Sequence, residues 1–402
     1  MDITRCQHII DEAFDGQEEA MLTLLERLVS IDSPTDAPEG VDEVGRTCAD
    51  FLKQAGFEAR RLPKPPVPED EAWQAGLGQA WTARTGAPGE GPGIAFIGHM
   101  DTVFPVGTAK SRPFRVDREA DKLYGPGVGD MKGGLVAMMF AAKVLKEHDL
   151  LPCPLTLMFS CDEELGSPTS SKGLQACLTG ARAVFCAEPG GVGGYVTLSR
   201  KGSGHMHLRV KGISAHAGRN YDEGASAILA LSKKVLAINE LLDLPHGITV
   251  NTGLVSGGNS ANSVAPWAEA RIHMTYRRLE DGERLVDDIR RITAETSIPR
   301  TSATVSGGIR LYPLERTEAG DKLYSIVQQA GKMLGMDLKG QHYESAAESG
   351  FCSSVLGIPT ICCMGPEAEN IHTDKEFMVL STLVKRAKLL ALSALLAAEE
   401  LR

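Results

Sequence analysis

Three short apolar runs in this chain each stop at a turn made of glycine, acid or histidine. Ile94 to Ile97 ends at Gly98-His99-Met100-Asp101, Leu155 to Phe159 runs into Asp162-Glu163-Glu164, and Ala183 to Ala187 ends at Glu188-Pro189-Gly190. Runs this short and this apolar, with helical patterns between them, predict buried strands of a largely parallel sheet built from βαβ units. In such a sheet the loops beyond the carboxyl ends of the strands converge on one edge, where ligands bind. His99, Asp130, Glu163, Glu164 and Glu188 all fall at or just after such ends and are expected to meet in space. Consecutive carboxylates past a buried strand repel one another unless a cation or a shared proton relieves them.

The rest of the chain fills in around these runs. Helical spacing is expected over Gln17 to Val29, from Thr47 to Gly56, and over Gly133 to Glu147, with a proline-rich turn at Pro63 to Pro68 and a loop over residues 86–93. From about Arg200 the pattern changes to strand His205 to Val210, helix Asp222 to Leu242, and strands Gly247 to Val255 and Ala268 to Arg277. Helix Asp281 to Thr296 and strand Ser302 to Val305 complete it. That β-α-β-β-α-β order is ferredoxin-like and predicts an α+β domain inserted into the first. The expected organisation is a first domain over residues 1–199, an inserted domain over 200–307 bordered by Gly307-Gly308, and the rest of the first domain over 308–402. In that last part, helices at Asp321 to Leu334 and Leu380 to Leu401 flank a strand at Thr360 to Met364. The expected fold class is α/β: a mostly parallel mixed sheet flanked by helices, plus the ferredoxin-like insertion.

Composition narrows the partners. A net charge of -10 with no basic block argues against nucleic acid and anionic membranes. Nine cysteines, scattered and without a C-x-x-C pair, fit a reducing compartment. No h-region or spanning run is evident, so a cytoplasmic location is expected. No G-x-S-x-G elbow, Walker loop or G-x-G-x-x-G fingerprint occurs, which sets aside serine-hydrolase and nucleotide-enzyme readings.

A set of His and carboxylate groups suited to two divalent metals is present. His99 is followed by Asp101, placed to hydrogen-bond the other ring nitrogen. Asp130 lies in the glycine-rich turn Tyr124 to Asp130, and His372 lies in Asn370-Ile371-His372-Thr373-Asp374. Either Glu163 or Glu164 serves as a proton-transfer group on this pattern alone.

Gly98-His99-Met100-Asp101-Thr102-Val103, Gly127-Val128-Gly129-Asp130-Met131-Lys132-Gly133-Gly134 and Asp162-Glu163-Glu164-Leu165-Gly166-Ser167 resemble the three signatures of the two-metal aminoacylase/carboxypeptidase family. Glutamate carboxypeptidase, N-acetylornithine deacetylase and succinyl-diaminopimelate desuccinylase belong to it. Ser214-Ala215-His216-Ala217-Gly218 and His372 extend the resemblance over nearly the whole chain, and it implies a phosphorylase/hydrolase-like catalytic domain over residues 1–199 and 308–402 with an inserted dimerisation or lid domain over 200–307.

The resemblance implies that Asp130 bridges two metal ions, zinc first with cobalt or manganese as alternatives. His99 and Glu188 complete one site, Glu164 and His372 the other, and Glu163 is the general base. It further implies a cis Asp130–Met131 peptide, a homodimer in which His216 reaches the partner's site to stabilise the oxyanion, and substrate contact by Asn262. Glu188, rather than aspartate, resembles the carboxypeptidase and deacylase members. Thr275 stands where many relatives carry the arginine that would receive a substrate carboxylate. Arg310 is the candidate replacement, and Arg277 and Arg278 read equally as solvated strand-end charges. Glu348-Ser349-Gly350 is a candidate pocket lining. The implied activity is a zinc-dependent carboxypeptidase or amidohydrolase acting on a small peptide or N-acyl amino acid. The alternatives are an N-acyl-amino-acid deacylase and a non-catalytic binding module.

Overall fold

The computed structural model describes residues 2–87 and 90–401. Of the loop expected over residues 86–93, positions 88 and 89 lie outside them. The chain forms two compact units, one of Met1–Ser199, Leu314–Tyr343 and Glu348–Arg402, the other of Arg200–Pro313 and Glu344–Ala347.

The first unit is α/β. Its six-stranded sheet has Ile94–His99 near the centre, between Leu155–Ser160 and Ala183–Cys186, with both neighbours parallel to it. Thr360–Ile361 continues the parallel set beyond Ala183–Cys186, while Trp81–Arg84 and then Glu58–Arg61 add antiparallel strands at the other side. All six residues of Ile94–His99 and all six of Leu155–Ser160 are buried. A strand covered on both faces has no solvent side, so its sequence is continuously apolar rather than alternating.

Helix Gly133–Glu147 packs on helix Thr382–Glu400, and both are buried over most of their circumference. The first begins against the strand ends: a Cβ at Gly134 would lie 1.9 Å from the Ala187 carbonyl oxygen, so only glycine admits this approach. Helix Ile3–Phe14 precedes Glu18–Val29, and the next helix spans Pro38–Gln54, starting well before the expected Thr47. The strand expected over Thr360 to Met364 stops at Ile361; Cys363 has a left-handed φ of +60°, and Met364 N then returns to the Cys186 carbonyl at 3.0 Å.

The second unit is an antiparallel four-stranded sheet with helices Ala227–Asn239 and Leu279–Ala294 packed against it. Its strands, in chain order Gly202–Lys211, Thr249–Gly257, Trp267–Tyr276 and Ser302–Leu311, lie in the spatial order 2-3-1-4. This is the ferredoxin-like arrangement. In the first strand Met206, Leu208 and Val210 are buried, whereas His205, Arg209 and Lys211 are exposed. That period of two sets which face meets the core.

The border expected at Gly307-Gly308 is corrected. The strand runs through both glycines to Leu311, and the unit closes at Pro313. An edge strand tolerates glycine, and Gly307 needs it: its φ is +92°, and a Cβ would stand 2.2 Å from the His205 carbonyl oxygen. Among the described residues, no helix is long and apolar enough to cross a membrane.

Candidate metal centre

The carboxyl ends of the parallel strands in the first unit deliver the titratable side chains. His99 is the last residue of its strand, Glu188 follows Ala183–Cys186 by two residues, and Glu163 and Glu164 form a short turn after Leu155–Ser160. Asp130 comes from the irregular turn Val128–Lys132 that leads into helix Gly133–Glu147, and its peptide bond to Met131 is cis. His372 arrives from the C-terminal part, with a left-handed φ of +63°.

Asp130 divides its two oxygens. Oδ1 lies 3.1 Å from His99 Nε2, which is 3.7 Å from Glu188 Oε1. Oδ2 lies 3.0 Å from His372 Nε2, itself 3.3 Å from Glu164 Oε2. His99, Asp130 and Glu188 thus form one donor group, and Asp130, Glu164 and His372 a second, each with ligand atoms within 4.8 Å of one another. Ligand atoms bonded to a tetrahedral zinc ion at about 2.0–2.2 Å stand about 3.4 Å apart, so the spacing of both groups fits a small divalent cation. A second observation agrees. Glu164 Oε1 is buried and, among the described residues, has no hydrogen-bond partner. Buried carboxylate oxygens rarely stay orphaned without an ion or water to take the lone pair.

The electrostatics follow from this crowding. Burial lifts the Glu163 carboxyl well above the usual range, and the charges of Glu188, Glu164 and Glu348 add to it while His99 opposes it. Hydrogen bonds to Asp130 and Glu164 push His372 up to about 10. Asp130 itself is held low because His372 and His99 outweigh the effect of its burial. The pocket therefore favours positive charge.

The supporting residues are carboxylates that spend their oxygens on backbone and hydroxyl donors. Asp101 accepts the amides of Glu163 and Glu164 at 3.2 and 3.1 Å and the Thr35 hydroxyl at 2.7 Å. His99 Nδ1 lies 3.0 Å from the Asp101 carbonyl oxygen and 3.4 Å from its carboxylate, so main chain and side chain of Asp101 both steady the ring. Asp162 accepts the Thr169 amide and hydroxyl and the Ser170 amide.

Sequence reasoning missed Glu376. It is buried and accepts the amides of Gly127, Gly129 and Asp130 at 2.9–3.0 Å, which fixes the glycine turn under the shared aspartate. Burial pushes its carboxyl up to about 7, the three amides pulling the other way. The one signal was an acid four residues after His372. Glu348 and Ser349 do not line a surface: their relative exposures are 2% and 0%, and Glu348 sits under the Glu163–Glu164 turn.

The remaining candidates lie in the second unit. His216 is exposed and bridges Ser263 through its backbone, and Ala217 N donates to the Asn262 carbonyl at 2.9 Å, so His216 and Asn262 share one rim. Arg310 falls at the register break between Ile309 and Leu311, and its charge acts on His205. Thr275 bonds Thr249 across the strands at 2.7 Å. Arg277 pairs with Glu344 at 3.0 Å and Arg278 with Glu280 at 2.8 Å, as strand-end charges do.

Known proteins are similar to this chain over most of its length. Carboxypeptidase G2 of Pseudomonas sp. (strain RS-16) is 27% identical over 388 residues, covering 94% of this chain and 89% of that protein. Succinyl-diaminopimelate desuccinylase of Rhizorhabdus wittichii is 30% identical over 312 residues, covering 71% of this chain and 76% of that one. Among solved structures, aminopeptidase PepT of Bacillus cereus superposes with a TM-score of 0.72 at 20% identity, covering 95% of this chain and 99% of that one. Residues 95–395 match the model of peptidase family M20/M25/M40. With more than half of its length matched, this chain belongs to that family.

Proposed function

We propose that the protein is a two-metal amidohydrolase of the glutamate carboxypeptidase kind, cleaving a C-terminal peptide or N-acyl amide bond. The observation that carries this reading is the division of Asp130 between two donor groups, beside a buried carboxyl, Glu163, that neither group uses. His99, Asp130 and Glu188 would hold one cation and Asp130, Glu164 and His372 the other. Zinc suits the His/carboxylate set, and cobalt and manganese are compatible with it. When bound, such a pair supplies Lewis acidity that lowers the pKa of water and draws electron density from the scissile carbonyl. Glu163 takes one proton from the attacking water and delivers it to the amide nitrogen as the C–N bond breaks; the water's second proton passes from the new carboxyl group to the freed amine, leaving a carboxylate and an ammonium. Asp101 positions this chemistry by holding the amides of Glu163 and Glu164 and the His99 ring.

The second unit would contribute from a second copy of the chain, with His216 donating to the oxyanion of the partner's site and Asn262 contacting substrate. Edge strand Thr249–Gly257 supports the dimer: Leu254 and Val255 stand 68% and 63% exposed on it. Arg310 is the proposed receptor for a substrate carboxylate. Among the described residues no cysteine is in a disulfide, which accords with a cytoplasmic location.

The test is metal analysis of the purified protein together with hydrolysis of N-acylglutamyl, N-acetyl and N-succinyl amino acids side by side. Two metal equivalents with fastest cleavage of the N-acylglutamyl substrates are expected. Preference for N-acetyl or N-succinyl amino acids would assign a deacylase instead, and fewer than two metals with no turnover a binding module.

A further inference from the structure

The turn that carries Glu163 and Glu164 starts at Ser160, the last residue of its strand, and ends at Ser167, whose φ is +53°. Both of these serines reach the same side chain. The Ser160 hydroxyl donates to Glu348 Oε2 and the Ser167 hydroxyl to Glu348 Oε1, each at 2.6 Å. Glu348 lies 188 and 181 residues further along the chain and is almost wholly buried. Within the turn, Gly166 N closes on the Glu163 carbonyl at 2.7 Å and Ser167 N on the Asp162 carbonyl at 2.8 Å. Asp101 holds the two central amides from the other side.

A buried carboxyl with only two hydroxyl partners is a costly way to fill space, since an apolar side chain of similar volume serves stability as well or better. What a carboxylate does that an apolar group cannot is grip two donors a fixed distance apart. Here those donors are the two feet of one turn, and between them stands the proposed proton carrier. We propose that Glu348 is a positioning residue for the hydrolysis, a clamp that fixes the span from Ser160 to Ser167 and so the direction of the Glu163 carboxyl. The proposal rests on the reading of Glu163 as general base, but its structural half, a turn held shut by Glu348, can be judged without turnover.

The test uses the full-length protein and the variants Glu348→Ala, Glu348→Gln, Ser160→Ala and Ser167→Ala. Displacing a catalytic group by about 1 Å costs about a hundredfold in rate, so Glu348→Ala should lower kcat about a hundredfold with KM within about threefold and two metals retained. Glutamine keeps the length, accepts from one serine and donates to the other, so Glu348→Gln should recover kcat to within about tenfold of wild type.

Hydrogen exchange of the metal-free protein supplies the second readout. Residues 160–167 should exchange faster in Glu348→Ala and at the wild-type rate in Glu348→Gln. The clamp is overturned if Glu348→Ala keeps kcat within about threefold and leaves exchange of the turn unchanged, or if Gln is as damaging as Ala in both. Should the alanine variant not fold, Ser167→Ala decides: a loss of about tenfold with faster local exchange supports the clamp, and neither change sinks it. If the wild type hydrolyses nothing in the panel, the assigned reaction fails, while the exchange data still judge the clamp.

Discussion

Asp101 accepts the amides of both Glu163 and Glu164, yet the two side chains leave that turn for different surroundings. Glu164 joins His372 and Asp130, and Glu163 is buried outside both donor groups. Glu163→Gln is therefore expected to lower kcat by about 10²–10⁴, the usual contribution of a positioned proton carrier, while both metal equivalents stay bound. Glu164→Gln should instead lose one equivalent on dialysis. Elemental analysis beside turnover checks both, and the opposite pattern exchanges the roles.

His99, Asp130, Glu163, Glu164 and Glu188 were legible in the sequence because each stands next to an apolar run or glycine turn that announces a strand end. Glu376 was not, and Glu348 was legible as a pocket-lining residue and not as a buried anchor. Their partners are three amides about 250 residues away and two serines about 180 residues away, and nothing in the local sequence of a glutamate says that it will be buried on such donors.

At the scale of elements, periodicity located the βαβ runs and the ferredoxin-like order, and it failed where glycine was read as a boundary. Gly307 looks like a break but is an edge-strand residue with a left-handed φ, and the domain ends six residues later at Pro313. Two contacts between elements give measurable consequences. Lys234, buried in helix Ala227–Asn239, donates to the carbonyls of Ile292, Thr293 and Glu295 at the end of helix Leu279–Ala294. A cation on otherwise unpaired C-terminal carbonyls complements the helix dipole. Lys234→Met is expected to cost about 2 kcal/mol, the worth of hydrogen bonds to a charged donor, seen as a lower thermal midpoint. Gly134→Ala should destabilise by about 1–3 kcal/mol or more, the range for overpacking a close contact, because the added carbon meets backbone oxygen that cannot swing aside. Its effect should appear in the denaturant midpoint.

At the scale of the whole molecule, the ligand groups come entirely from the first unit, while His216 and Asn262 belong to the second. If His216 serves the site of a second copy, dimerisation and activity are coupled. Exposed strand edges are usually blunted by charge or proline, whereas Leu254 and Val255 leave this one apolar, and helix Ala227–Asn239 adds Leu236 at 69% exposure. Two such edges related by a twofold axis would pair antiparallel into one continuous sheet. Leu236→Glu combined with Val255→Lys should therefore halve the mass measured by light scattering, leave metal content unchanged and remove most activity.

Mixing two inactive variants tests the coupling more sharply. Glu163→Gln lacks the proton carrier but keeps His216, and His216→Ala has the reverse defect. If the histidine acts across the interface, each mixed dimer contains one intact site, and random exchange of equal amounts restores about a quarter of wild-type activity. If it acts within its own chain, every site in the mixture lacks one group. Activity then stays at the level of the separate variants however long the subunits exchange.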